Sequence, residues 1–244
     1  MKVYKLLLGG IFALCMVSCQ FTETMVMQED GSGRMAIEMD MKEMMAFGAG
    51  MDSTLTKTDT IISFKQVFEA KKDSIAQLPI AEQNRLKKME NFMMKLFVDP
   101  DSNDMFLHIF TDFKKVKEAN ELMNGLGESS GFMPGVKVSS EEQQSDSEDF
   151  MGVSYSYEKN TFLRDAFIKD KARHQSQLDS LKSAEMFLSG TMYTLRYTFP
   201  KKIKRASIED ATYSADGKTI EVERSFLDYM KEPDILDLEV VLEK

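Results

Sequence analysis

The chain has 244 residues, 43% of them hydrophobic and 29% charged, with a formal net charge of −9. At this length, that hydrophobic fraction supports a real core in one large or two small domains. The acidic excess repels phosphate backbones and anionic headgroups, which excludes nucleic acid as a partner and leaves any membrane attachment to something other than charge.

Lys2 and Lys5 precede an apolar run from Leu6 to Val17. A run of about 12 residues has the length of a secretory h-region and is short for a membrane span. Both cysteines of the chain fall here, Cys15 inside the run and Cys19 just behind it. Ser18 is the small residue a signal peptidase needs before its cut, and Met16-Val17-Ser18-Cys19 resembles a relaxed bacterial lipobox, with Met16 where Leu is usual. The resemblance implies that residues 1–18 are a lipoprotein signal peptide and that Cys19 is the lipid attachment residue of a single domain, 19–244. The other readings are an ordinary signal peptide cut elsewhere and an uncleaved anchor. Loss of Lys2 and Lys5 with the signal takes the formal charge from −9 to −11. Acyl chains on Cys19 would each contribute about 0.8 kcal/mol per buried methylene, ample for stable anchoring when three are present. An acylated Cys19 leaves no thiol for a disulfide, although an exported compartment permits one.

Residues 21–28 and 34–41 flank "EDGSG", and Met35, Ile37, Met39 and Met41 alternate with polar neighbours, which predicts a β-hairpin whose apolar face is buried. Residues 46–60 lack periodicity and read as a loop. Phe64, Val67, Phe68, Ile75 and Leu78 recur at helical spacing up to Pro79, and Leu86, Met89 and Met93 continue a second helix. "ENFMMKLFVDPDSNDMFLHIFTDF" predicts a second β-hairpin turning at residues 99–104. Asp112 is placed to cap a helix carrying Phe113, Val116, Ala119 and Met123 and ending at Gly125. Residues 127–149 are rich in Ser, Gly, Glu, Asp and Gln and read as a mobile acidic loop. A strand over residues 151–157, a long helix from about 165 to 188 and a strand from Tyr193 to Phe199 follow. Short strands near Ala206 and Tyr213, a strand over 219–224 and a final strand in "ILDLEVVLEK" complete the chain. The expected fold class is α+β, a mainly antiparallel sheet of hairpins packed by a helical hairpin and one long helix.

"VMQEDGSGRMAIEMDM" and "YTLRYTFPKKIKRASIEDATYSADGKTIEVE" resemble the opening hairpin and closing strands of the LppM-like domain of bacterial lipoproteins. The likeness covers about a third of the mature chain and rests on turn and strand letters; the aromatic that follows "dGktv" in that family is absent. It implies a helix-grip-like fold with a ligand groove between sheet and long helix, and it transfers no catalytic residue.

Several motifs suggest chemistry, each beside a plainer reading. Gly127-Glu128-Ser129-Ser130-Gly131 fits G-x-S-x-G but lacks the preceding strand and following helix that a nucleophile elbow needs. Asp99, Asp101 and Asn103 imitate the start of a calcium loop, yet Asp104 stands where Gly belongs and Phe110 where Glu does, so a hairpin turn accounts for them better. His108 and His174 have no nucleophile beside them and read as core or edge residues. Met25, Met27, Met39 and Met41 pair thioethers that suit Cu(I), but they occupy core positions with no His to complete a site. No catalytic set, metal or cofactor is expected. The function expected is a non-enzymatic cell-envelope lipoprotein, lipid-anchored to a bacterial membrane, the outer one, with a periplasm-facing or undecided orientation, whose partner besides that membrane is a lipid or other apolar ligand. The alternative is a structural or assembly factor acting through protein contacts.

Overall fold

The computed structural model describes residues 20–42, 56–127, 150–182 and 185–244. The signal segment, Cys19, the G-x-S-x-G serine and the acidic loop beyond Gly127 lie outside the described residues. The rest forms two sheets, and the α+β, mainly antiparallel class expected from the sequence is the one found.

β1 (Gln20–Met27) and β2 (Gly33–Asp40) form the first hairpin, in register from Gln20↔Asp40 to Met27↔Gly33. Gly31 turns the chain at φ +82, a conformation that costs glycine little, and Asp30 Oδ1 accepts the Ser32 N–H at 3.0 Å. Gly33 is required by space: a Cβ there would run into the Val26 carbonyl oxygen and lie 2.6 Å from the Phe113 ring. Gly33→Ala is therefore expected to cost about 1–3 kcal/mol by overpacking, read as a lower urea midpoint at unchanged slope.

β3 (Thr58–Ser63), β4 (Met93–Asp99) and β5 (Asp104–Phe113) extend the sheet, and β8 (Met192–Thr198), β10 (Thr212–Tyr213) and β11 (Thr219–Ser225) complete it. The order is β10-β11-β8-β1-β2-β5-β4-β3, eight strands with β1 between β8 and β2. The β1–β8 pairing is parallel, and the other pairings described are antiparallel. A smaller sheet of β6 (Met151–Glu158), β7 (Thr161–Ile168), β12 (Leu238–Leu242) and β9 (Ile203–Ala206) lies against the inner face where β1 and β8 run. Phe162 on β7 meets Tyr197 and Phe199 edge-on, with ring centroids 5.3 Å away in each case. The helices Phe64–Ala70, Lys72–Ile75 and Ile80–Lys88 fill the expected helical hairpin, but the second stops at Lys88, so Met89 only caps it and Met93 opens β4 instead of continuing it. The helix Ala119–Gly127 touches β2, β5 and β6. Its Asn120 and Asn124 side chains accept the N–H groups of Tyr155 and Val153, capping an edge strand that would otherwise offer unpaired donors.

Three local expectations change. Thr58–Ser63 is an edge strand whose first three residues fall in the segment that reads as a loop; Thr58, Thr60 and Ile62 lean inward while Asp59 and Ile61 stay exposed. Asp112 caps no helix: it ends β5 beside Phe113 and pairs with Arg34, Nε to Oδ1 at 2.6 Å, and the helix starts later, after a 3-10 turn at Val116–Glu118. The long helix shrinks to Lys171–Leu181 plus Glu185–Leu188, and residues 161–168 are a strand. There Phe162, Arg164 and Ala166 face inward and Leu163, Asp165 and Phe167 outward, which is period two. Asp170 fixes the true helix start by accepting the N–H groups of Ala172 at 2.9 Å and Arg173 at 3.0 Å.

Candidate functional site

The inner face of β1 carries Glu23, Met25 and Met27, so an acid sits in an apolar row. Glu23 is 0% exposed. Such a carboxylate persists only if every lone pair finds a partner, and the two sheets supply them. Arg164, on β7, donates from Nε to Oε1 at 3.1 Å and from Nη2 to Oε2 at 3.0 Å, a two-pronged pair with both side chains at 0% exposure. Tyr155, on β6, donates its hydroxyl to Oε1 at 2.6 Å, and Tyr193, on β8, donates to Oε2 at 2.8 Å. Tyr197, also on β8, donates to Oε1.

Arg164 is held from behind as well. Its Nη1 donates to the Leu236 carbonyl at 3.1 Å and its Nη2 to the Tyr229 hydroxyl at 3.2 Å, and the guanidinium lies 5.6 Å from the centre of the Tyr229 ring. Tyr229 comes from the helix Phe226–Lys231, and its ring packs 4.6 Å from that of Tyr193. Four tyrosines, one acid and one base thus close a ring between the large sheet, the small sheet and a helix.

The electrostatics follow from burial and pairing. Burial alone would push the Glu23 carboxyl upward, but the Arg164 charge and the hydrogen bonds from Arg164, Tyr155 and Tyr197 outweigh it and hold the group below the usual carboxylate range. Burial, reinforced by the Glu23 charge, pushes the phenols of Tyr155, Tyr193 and Tyr197 well above their ordinary value. Burial disfavours the charged form of Arg164, and the Glu23 charge reverses that and keeps the guanidinium firmly protonated. Both carboxylate oxygens are taken and neither faces solvent, so the cluster as it stands fastens sheet to sheet.

The residues singled out in the sequence lie elsewhere. Cys19 is outside the described residues, one position before the first residue of β1. His108 lies on the outer face of β5, with Nε2 3.9 Å from Glu38 Oε1, and partial burial lowers its pKa. His174 is buried, with Nε2 2.7 Å from the Met230 carbonyl oxygen. The calcium-like stretch is a hairpin turn in which Lys57 pairs with Asp99 at 2.6 Å and Lys42 with Asp104 at 2.8 Å. Met25, Met27, Met39 and Met41 all belong to the core. Among the described residues no group of three or more His, Cys, Asp or Glu is arranged to hold a metal. An open cleft of about 320 Å³ lies at the far end of the β1–β2 hairpin, where Asp30 and Gly31 meet Lys114, Lys115 and Tyr157.

No family model matches the sequence, and no curated protein matches it. A solved structure resembles the chain. It is the NMR structure of the folded domain of the Mycobacterium tuberculosis LppM protein, with a TM-score of 0.42 and 7% sequence identity, covering 92% of this chain and 89% of that one. No site residue is transferred by that likeness. The Glu23 cluster was missed in the sequence although part of its signal was there: Glu23 shares strand parity with Phe21, Met25 and Met27, an acid on an apolar stripe.

Proposed function

We propose that the protein is a non-enzymatic lipoprotein of the bacterial cell envelope, anchored through a lipid on Cys19 and binding a lipid or other apolar ligand. The observation that carries the reading is the position of Cys19. A lipobox-like tetrapeptide behind a signal-length apolar run ends one residue before a strand that the fold holds on both sides. Among the described residues no helix is long and apolar enough to cross a membrane, so in this reading attachment falls to the acyl chains. Glu23, the acid of "CQFTET", is part of the core, which removes it from any free sorting tag and favours the periplasm-facing side.

Support for an apolar ligand comes from the outer face of the large sheet. There Ile61 is 59% exposed opposite Lys95, and the rings of Phe97 and Phe106 stack 4.7 Å apart, with Lys95 Nζ 5.8 Å from the centre of the Phe106 ring and 3.5 Å from Asp59. A face of that kind suits an acyl chain. Radiolabelled palmitate is expected to enter the wild type and not Cys19→Ala; equal labelling of the two overturns the anchor. Lipid co-purifying with the protein in a native mass spectrum supports the ligand, whereas a clean apo mass with a protein partner in pull-down favours the assembly-factor reading.

A further inference from the structure

If Cys19 carries lipid, the way the anchor joins the fold determines which end of the molecule meets the membrane. Consecutive Cα atoms are about 3.8 Å apart, so an acylated Cys19 lies one such step from Gln20. Gln20 is already paired, with Asp40 on one side and Met192 on the other. Three residues further on, Glu23 is fastened to Arg164 in the core. β1 is an interior strand of the large sheet, so the anchor leaves from the middle of the fold, with no length of free chain to let the domain hang away or tumble.

The row of residues level with Gln20 runs Ser225, Met192, Gln20, Asp40, Phe106, Phe97 across the sheet. Phe106 is 38% exposed and stacked on Phe97. Lys95, whose Nζ lies 5.8 Å from the centre of the Phe106 ring, is paired with Asp59 at 3.5 Å, and just beyond the row Lys42 and Lys57 are spent on Asp104 and Asp99, so charge gives this end no attraction to anionic lipid. An apolar pair two and three strands across from a covalent acyl anchor needs none.

Resting on the lipoprotein reading, we propose that this end of the large sheet lies directly on the lipid headgroups, with Phe97 and Phe106 in the interface. The 28–32 turn and the Lys114–Lys115 cleft then point into the aqueous compartment. Val26 stands six residues along β1 from Gln20, about 20 Å at the rise of a strand, and belongs to the far end.

The chain has no Trp, so a single introduced indole reports its own position. The full-length protein, lipidated in a bacterium that processes lipoproteins, is placed in phosphatidylcholine vesicles with brominated acyl chains as Phe106→Trp and as Val26→Trp. Phe106→Trp is expected to lose more than half its emission and shift to the blue, while Val26→Trp, 49% exposed in the native residue, keeps its emission. Phe97→Trp repeats the first arm if Phe106→Trp does not fold. Equal quenching of the two ends, or stronger quenching at Val26, overturns the orientation. A chain that fails to float with vesicles sinks the lipoprotein reading instead. The orientation is then read from the same Trp variants in a Cys15→Ala chain coupled through Cys19 to a maleimide phospholipid.

Discussion

Arg164→Met is expected to destabilise the fold by about 3–5 kcal/mol, because it leaves the Glu23 carboxylate charged and buried with no counter-ion. A natural domain has about 5–15 kcal/mol in hand, so the loss should unfold a measurable part of the population at physiological temperature. Glu23→Gln is expected to cost a comparable amount, since Arg164 is then the unpaired charge in a site of 0% exposure. Combining the two should cost less than the sum of the single losses, the signature of direct contact. Recovery will be partial, because the hydroxyls of Tyr155, Tyr193 and Tyr197 each donate to Glu23 and lose a charged acceptor. Urea unfolding of the wild type, both single variants and the double variant gives all four corners; strictly additive losses would contradict the cluster.

The same pair sets an acid limit. The folded-state pKa of Glu23 is depressed, so its contribution is complete above the unfolded carboxylate value of about 4.3 and is lost as the pH falls through the lower folded value. The wild type should therefore lose stability steeply below about pH 4, and Glu23→Gln should show a shallower acid limb.

Ile37→Asp is the second change with a large expected effect. Ile37 is 6% exposed and stands directly across from Glu23 on the same face, with Ile109 on its other side. Aspartate there replaces packed alkyl surface with a carboxylate and sets it opposite an existing carboxylate at a Cβ separation of about 5 Å. Desolvation and like-charge repulsion act together, so the expected loss exceeds about 4 kcal/mol, beyond the ordinary range for a single substitution. Glu38→Ala, next in sequence but on the outer face, should stay within about 0.5 kcal/mol. A thermal melt of Ile37→Asp matching the wild type would mean that the β1–β2 register is wrong.

The strands were legible wherever one face is apolar and the other wet, as in Met35, Ile37 and Met39 against Arg34, Glu38 and Asp40. The segment 161–168 was misread because its inward row is Phe162, Arg164 and Ala166, and a buried arginine makes a core face look polar. That arginine is inward-facing only because Glu23 lies 141 positions away in the chain, a pairing no local pattern can announce. Glu23 shows the same limit from the other side. Its strand and parity were readable, but the four tyrosines that make its burial tolerable come from β6, β8 and the helix Phe226–Lys231. The division into two sheets was invisible for the same reason: β9 and β12 pair across more than thirty residues, and β1 and β8 across more than one hundred and sixty.

The strand next to Cys19 is fixed in the core, paired on both sides and fastened through Glu23 to Arg164. Amide hydrogen exchange along β1 in the full-length protein tests this most directly. The amides of Thr22, Glu23, Thr24 and Met25 are expected to exchange only through global unfolding, with the same free energy as the best-protected amides of β5, and Arg164→Met should open them. Exchange of those four amides at the rate of a frayed terminus, while β5 stays protected, would contradict the account.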